Sequence, residues 1–464
     1  MAGFVFYDLV FLILSILFVI VFLSTRKKNL QRQGILYLYK TQLGVRFIDA
    51  FAKKFGKVLK PLQYIVIASG YFLMVAIVWL IAKTAYLYLT TSISSIIKAP
   101  PIAPLIPYFP KIFGLEAFFP PLFFTYFIIA LGIVAVSHEF SHGIFMRLNK
   151  IRTLSTGFAF LGPILGAFVE QDEKQMNKSK KFPQLAILAA GTFANLILAL
   201  LFLGVLALFF TSVFSPAGVK FSTYAITNVD VPDISIVGNS SIGEGFVEVS
   251  VNGEKYFANS AALQNSIDKE VLTIFVYDDS PAFGVQLEGA ITEINGMKVR
   301  GGEELSSVLG SFNPGDEINV RTAVLDPGQG TVAETKEYTL ELGEREGNAF
   351  LGIVFIQNSG GGFSGLIYKT FSEIKDPFIH YESCWGDFGW FVYYLLWWIV
   401  VINFLVALFN MLPLGILDGG RFFYLTVWGI TRRESIGKKA YKFVTWFILA
   451  LFLVMMVKWA FALF

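Results

Sequence analysis

Six stretches of this chain are apolar enough and long enough to cross a bilayer, and they constrain its fold more than any other feature. A hydrocarbon core of about 30 Å takes about 20 apolar residues in a helix, and only helices and closed barrels satisfy their backbones there. The first stretch is FVFYDLVFLILSILFVIVFLS, residues 4–24. The basic run RKKNLQRQ follows at once, with no small-residue cleavage site ahead of it, so the stretch reads as a retained anchor. The excess of Lys and Arg on cytoplasmic flanks puts 26–32 in the cytoplasm and the N-terminus outside. Residues 40–60, with Phe47, Phe51, Lys53, Lys54, Lys57 and Lys60, read as a basic, partly amphipathic cytoplasmic helix. Further spans are expected at 62–90, 121–146, 183–213, 388–411 and 440–464, and the basic segments MRLNKIR and RFFYLTVWGITRRESIGKKA mark cytoplasmic ends.

Two shorter segments break the pattern. KAPPIAPLIPYFPKIF, 98–113, is too rich in proline for a regular helix and reads as an outer surface loop. TGFAFLGPILGAFV, 156–169, is apolar but too short to cross, and Gly157, Gly162, Pro163 and Gly166 interrupt it. Irregular backbone at membrane depth is tolerated inside protein or beside a water-filled cavity, so a re-entrant β-hairpin is expected. EQDEKQMNKSKK then returns the chain to the cytoplasm.

Charge separates a second kind of sequence. Residues 216–387 hold 25 of the 34 acidic residues and 10 of the 37 basic ones, a net charge near −15 against +18 for the remainder. Alternating runs such as FVEVSVNG and EINVRTAVL, with turns at Asn252-Gly253, Asn295-Gly296 and Asn313-Pro314-Gly315, mark a soluble, strand-rich domain outside the membrane. Asn239-Ser240-Ser241 is a glycosylation sequon compatible with that side. The expected fold is a polytopic α-helical membrane protein of about six spans plus the re-entrant β-hairpin, with an inserted β-rich soluble domain. Its parts run as N-terminal spans with a basic segment (1–97), a Pro-rich loop (98–120), a first membrane core (121–215), the soluble domain (216–387), a second core (388–425) and a last span (426–464).

Ionisable groups inside an apolar span are functional candidates by default, and VAVSHEFSHGIFM, 134–146, carries three: His138, Glu139 and His142. Histidines at i and i+4 share one helix face and can bind one ion. Glu139 adjoins the first of them and can reach a metal-bound water, the layout of a zinc hydrolase. Catalytic zinc commonly takes three protein ligands plus water. The single cysteine, Cys384, excludes a cysteine metal site, and His380, the only other histidine, falls on the opposite side of the membrane as a solvated loop residue. In NMLPLGILDGGR, 410–421, the fifth span breaks at Pro413 and Gly415 and presents Asp418. Alone this reads equally as a membrane-exit loop with a capping aspartate; beside the histidine pair, a third metal ligand is favoured.

His138-Glu139-Phe140-Ser141-His142, with Asn410-x-x-Pro413-x-x-x-Leu417-Asp418-Gly419, resembles the two signature motifs of the site-2 protease family, zinc metalloproteases that cut transmembrane substrates within the bilayer. The resemblance covers roughly 121–214 and 388–425. It implies one zinc per chain on His138, His142 and Asp418, with Glu139 as general base. The family's Gly-Pro-x-x-Asn pattern has its counterpart in Gly191-Thr192-Phe193-Ala194-Asn195, with threonine for proline, implying that Asn195 positions substrate or stabilises an oxyanion; polar residues also hold membrane helices together. Asn410 is a second candidate for holding the peptide. The 156–169 segment resembles the family's membrane-embedded hairpin, whose edge can hold an unwound substrate by strand addition. DDSPAFGVQLEGAITEINGMKV, 278–299, resembles a PDZ domain, with Phe283-Gly284-Val285 where Ala-Gly-Leu is usual.

The function expected is thus intramembrane zinc proteolysis of membrane-anchored substrates in a prokaryotic cell membrane, with the active site towards the cytoplasm and the PDZ-like domain outside. Transmembrane substrates, membrane lipid and a peptide ligand of the PDZ-like domain are the expected partners, and nucleic acid is not among them. Two alternatives differ in class. A surface-acting membrane zinc protease would take a downstream glutamate as third ligand, and only Glu434 follows the fifth span. A metal-binding transporter or receptor would not need Glu139 as a base.

Overall fold

The computed structural model describes residues 2–26, 30–34, 36–91, 99–116, 119–161, 164–239, 243, 245–325, 331–356 and 362–462. Gly162, Pro163, Ser240 and Ser241 lie outside the described residues. The chain forms two compact units, Met1–Leu206 with Val392–Phe464, and Ala207–Phe391. Six described helices are long and apolar enough to cross a membrane, and the chain is an integral membrane protein.

In the first unit, helix α1 spans Ala2–Thr25, α2 Leu43–Thr90 and α3 Phe124–Leu148. After them come the short α4, Glu173–Lys178, and the long α5, Lys181–Val213. Later in the chain come α6, Asp387–Asn410, α7, Asp418–Thr431, and α8, Glu434–Ala462. The outer faces of α1 and α8 remain apolar, with Phe6, Leu14, Phe18, Phe443 and Trp446 exposed. Such faces suit a lipid solvent, in which apolar exposure carries no penalty. The core is built from Val66, Leu73 and Ile77 of α2, Phe145 and Met146 of α3, Ile187 and Ala189 of α5, and Phe422 and Leu425 of α7.

Two expectations are corrected here. Residues 40–60 and 62–90 are one helix: α2 runs through Pro61 for 48 residues, about 72 Å at 1.5 Å per residue. Proline removes only its own donor and disturbs one turn, and the packed core holds the helix together on both sides. The hairpin read at 156–169 is larger and is not alone. Strands β3, Thr153–Leu161, and β4, Ile164–Gln171, join β1, Leu30–Gln33, and β2, Leu36–Thr41, in a four-stranded antiparallel sheet ordered β1-β2-β3-β4. Tyr39 pairs with Phe158 and Thr41 with Thr156. Gly157 permits this approach, since a Cβ there would lie 1.9 Å from the Tyr39 carbonyl oxygen. Lys40 of β2 forms an ion pair with Glu170 of β4 at 2.8 Å across the sheet. Strand β4 is its outer edge.

Two helix ends are closed by charges from other spans. The N-cap residue of α3, Phe123, makes no side-chain capping bond. Buried Asp8 of α1 does that work: its carboxylate accepts the N–H groups of Phe124 (3.0 Å) and Thr125 (2.8 Å) and the Thr125 hydroxyl (2.7 Å). At the other polarity, Lys458 of α8 donates to the carbonyls of Tyr88 (2.7 Å) and Leu89 (3.2 Å) at the C-terminus of α2. A negative charge at a helix start and a positive one at a helix end both complement the macrodipole.

The second unit is β-rich. One sheet orders Ile226–Asp230, Thr273–Asp278, Glu254–Asn259, Phe246–Val251 and Ile234–Asn239; a six-stranded sheet orders Val332–Glu341, Glu317–Leu325, Ala290–Ile294, Phe214–Val219 and Ile379–Ser383, with Met297–Lys298 paired to Ala290–Ile294. Phe283 sits where the PDZ pattern would carry a smaller residue. Its ring is buried among Tyr224, Phe246, Phe257 and Tyr277 with centroids 4.9–5.4 Å away, so it serves as a packing centre. His380 is also corrected. It is no solvated loop residue but lies 2% exposed in strand Ile379–Ser383, opposite Gly218.

Candidate metal centre

The histidine pair lies on the inward face of α3, and both side chains are buried. One helical turn separates them, so the rings meet with centroids 4.6 Å apart. Asp418 reaches them from 280 residues away, as the first residue of α7. A carboxylate at that position is favoured by the helix dipole. Its approach depends on glycine: a Cβ on Gly419 would lie 2.3 Å from the Met411 carbonyl, and one on Gly420 2.2 Å from the Leu414 carbonyl. Arg421, one turn on, donates to Asn177 at the end of α4 at 2.8 Å and ties α7 to that helix.

The three groups converge on one point. His138 Nε2 lies 3.0 Å from His142 Nε2 and 3.2 Å from Asp418 Oδ2, and His142 Nε2 lies 3.3 Å from the same oxygen. Two imidazoles and a carboxylate form a donor set that zinc accepts, and four ligands at about 2.0 Å in a tetrahedron stand about 3.3 Å from one another. The observed triangle therefore fits a tetrahedral ion with one position left open. Among the described residues, this is the one group of His, Cys, Asp or Glu side chains clustered closely enough to hold a metal.

The ring orientations are set from behind, as is usual around metal ligands. His142 Nδ1 lies 2.6 Å from the Ile187 carbonyl of α5. His138 Nδ1 lies 3.1 Å from the Asn195 amide, about two turns further along α5. Gly191 lies between them, where a Cβ would fall 2.5 Å from His142 Nε2 and 2.6 Å from His138 Cε1. Thr192 occupies the place of the proline expected by resemblance, and its buried hydroxyl donates to the Ala189 carbonyl at 2.9 Å. Helix α5 thus passes the rings unbroken.

Glu139, next to His138 on α3, reaches the sheet, where Oε2 accepts the Val169 N–H of β4 at 3.1 Å. Asn410, half-buried, is the last residue of α6. His380 belongs to the β-rich unit and is not part of this cluster. Sequence reasoning passed over Ser137, Arg421 and Asp8, and quoted Gly191 within the family pattern without reading its closeness to the rings. Only Asp8 carried a visible signal, a carboxylate in an otherwise apolar span.

Comparison with known proteins extends beyond the cluster. The model of peptidase family M50 matches residues 126–455, from the start of α3 to the middle of α8. An uncharacterized protein of Methanocaldococcus jannaschii is 28% identical over 257 residues, which are 53% of this chain and 60% of that protein. The matched part thus spans less than two thirds of that relative.

Proposed function

This chain belongs to peptidase family M50, a family of membrane metallopeptidases, and from that membership we propose that it is an intramembrane zinc endopeptidase cutting the transmembrane segments of membrane-anchored proteins. The observation that carries this reading is the triangle of His138, His142 and Asp418 inside an apolar helical unit, with Glu139 next to His138 and hydrogen-bonded to the outermost strand of the sheet. Zinc bound by those three side chains would polarise the scissile carbonyl and make its water a nucleophile at neutral pH.

The chain's own residues then do the rest. Glu139 takes the water proton and passes it to the leaving amine. The Val169 N–H fixes one carboxylate oxygen and leaves the other for that transfer. A transmembrane helix hides its peptide bonds in its own hydrogen bonds, so it must unwind before it can be cut. Strand β4 offers a template for the unwound piece. Its Val169 N–H faces away from β3, and the alternation of an antiparallel pair turns Ala167 and Leu165 the same way. An extended substrate can add there by main-chain bonding, with Asn410 available to hold its far side. The membrane cores at 121–215 and 388–425 form the catalytic part. The β-rich unit acts as a PDZ-like filter for substrates or peptide ligands outside a prokaryotic cell membrane, and the metal centre opens towards the cytoplasm.

The test uses purified full-length chain and its Glu139→Gln form. Zinc content is measured first, then cleavage of a panel of transmembrane peptides. One zinc in both, with cleavage by the unsubstituted chain alone, supports the reading. Equal behaviour of the two overturns it and turns the cluster into a binding site for transport or sensing.

A further inference from the structure

The first half of α2 carries a charge pattern that the metal centre does not use. Between Leu43 and Leu62 it holds five cations, Arg46, Lys53, Lys54, Lys57 and Lys60, and one carboxylate, Asp49. That carboxylate is taken, since it accepts from Arg147 Nη2 of α3 at 2.7 Å. The five cations are exposed, and none of them makes an ion pair among the described residues. At about 100° per residue, Arg46, Lys53, Lys57 and Lys60 share one stripe of the helix. Phe47, Phe51, Val58 and Leu62 share the stripe beside it, with Lys54 in its middle.

The apolar stripe walls a groove. Phe47 and Phe51 of α2, Phe140 and Ile144 of α3, and Phe193 and Ile197 of α5 line an open space of about 590 Å³, within the size range of small-ligand sites. Phe47 meets Phe140 with ring centroids 5.3 Å apart, and Phe51 meets Phe55 at 4.6 Å. Lys54 Nζ lies 5.3 Å from the centre of the Phe55 ring, so an ammonium group stands one ring away from the groove wall. Ser137 and Ser141 also line the groove, but their hydroxyls donate to the carbonyls of Ile133 (2.8 Å) and Ser137 (2.9 Å).

Hydrocarbon within and ammonium at the edge define the ligand. An unwound peptide finds no free side-chain donor here, and its own polar groups would go unpaired. A single turn of a helix, about 10 Å across and 5.4 Å long with its side chains, would take up most of the space. A hydrocarbon chain needs only apolar contact and is thin enough to lie along the groove. Unpaired cations beside it call for an anion, and basic segments next to a membrane attract anionic headgroups. We propose that the groove binds one anionic phospholipid, with an acyl chain between α2, α3 and α5 and the phosphate against Lys54 and Lys57, which are neighbours on the helix surface. This is a specific site, beyond the general lipid contact of the spans, and it does not rest on the metallopeptidase reading.

The test uses the full chain, purified and stripped of lipid in an uncharged detergent. Phosphatidylglycerol and phosphatidylcholine with the same acyl chains are titrated in, and native mass spectrometry counts the lipids retained. One phosphatidylglycerol per chain, held at least about tenfold more tightly than phosphatidylcholine, supports the site. A lysine near an anionic headgroup is worth about fivefold. Joint Lys54→Gln and Lys57→Gln substitution should therefore weaken phosphatidylglycerol by at least about tenfold and leave phosphatidylcholine unchanged. Ile197→Trp, at an exposed part of the groove wall, should weaken both lipids while the circular dichroism of the chain is unaltered. Glycerol phosphate, a headgroup without chains, should not displace the bound lipid; displacement by it would reduce the site to a phosphate contact and overturn the proposal. Equal retention of the two lipids by the unsubstituted chain overturns it as well, and that comparison decides alone if a variant does not fold. Retention of phosphatidylglycerol that neither variant weakens places the lipid elsewhere and is equally fatal. Displacement of the lipid by a transmembrane peptide, with no effect of the lysine substitutions, would make the groove a seat for a helix instead.

Discussion

At Gly191 the metal centre leaves no room for a side chain. A methyl group there would stand 2.5–2.6 Å from both imidazoles, well inside van der Waals contact, and neither ring can retreat without leaving Ile187 or Asn195. Gly191→Ala should therefore weaken zinc binding by at least about tenfold, on the order of 1.4 kcal/mol, while the chain stays helical; chelator competition and circular dichroism read the two effects. Alanine is otherwise a better helix former than glycine, so unaltered zinc affinity would contradict the packing described. At this scale the i, i+4 spacing of His138 and His142 is legible because helix geometry is local. The side of α5 that faces them is not, since only packing decides which glycine of a long apolar helix touches a ring. The meeting with Asp418 is not legible from spacing either, with 280 residues between; a motif pointed to it where local physics could not. Asp8 was legible in principle and was passed over, because a span read as an anchor invites no question about its one carboxylate.

Among the elements, β4 stands out as the outermost strand of its sheet. If substrate adds to that edge, the Ala167 N–H is one of its donors. Ala167→Pro removes that donor and leaves the bonds to β3 in place, since proline is tolerated on an edge strand when its nitrogen faces outward. Zinc content should be unchanged and cleavage reduced by up to about tenfold, the weight of one net hydrogen bond; undiminished cleavage of transmembrane peptides would remove β4 from the substrate path. The hairpin itself was legible from its glycines and its length. Its extension by β1 and β2 was not. LQRQGILYLYKT carries a weak strand pattern beside a basic run, and what makes it a sheet is pairing with 156–160, more than a hundred residues later. Helix α2 errs the other way: Pro61 is a local breaker, and tertiary packing overrides it.

For the molecule as a whole, the charge asymmetry of the sequence matches the division into two units, because lipid and water select residues along whole segments. Stability should divide likewise. In the β-rich unit, burial holds the His380 imidazole down to about 4, helped by the Lys220 and Lys375 ammonium groups. The unfolded chain, with an ordinary value of 6.5, then holds more protons than the folded one between those limits, so stability is full above 6.5 and falls as pH drops towards 4. Lys375, drawn down to about 7 by burial and by Lys220, acts in the same sense at the alkaline end, where stability grows as pH rises from 7 to 10.5. Asp376 faces Lys220 and partly offsets its burial. Hydrogen exchange in the strands of this unit, measured on the full chain from pH 4 to 8, should show protection lost below about 6, and His380→Gln should flatten that loss. A pH-independent protection in the unsubstituted chain would contradict the burial described. None of this was legible at His380, which in sequence is one histidine in a polar stretch; only the strand pairing buries it.

The contact between His138 and Asp418 has a consequence in time. The histidines leave the ribosome 280 residues before their carboxylate, on the order of tens of seconds at about 5–20 residues per second. Throughout that interval the nascent chain lies beside the very class of helices it is proposed to cut, carrying the residues proposed as its base and two of its ligands but not the third. Until Asp418 is made, the order of synthesis leaves the proposed site without its third ligand.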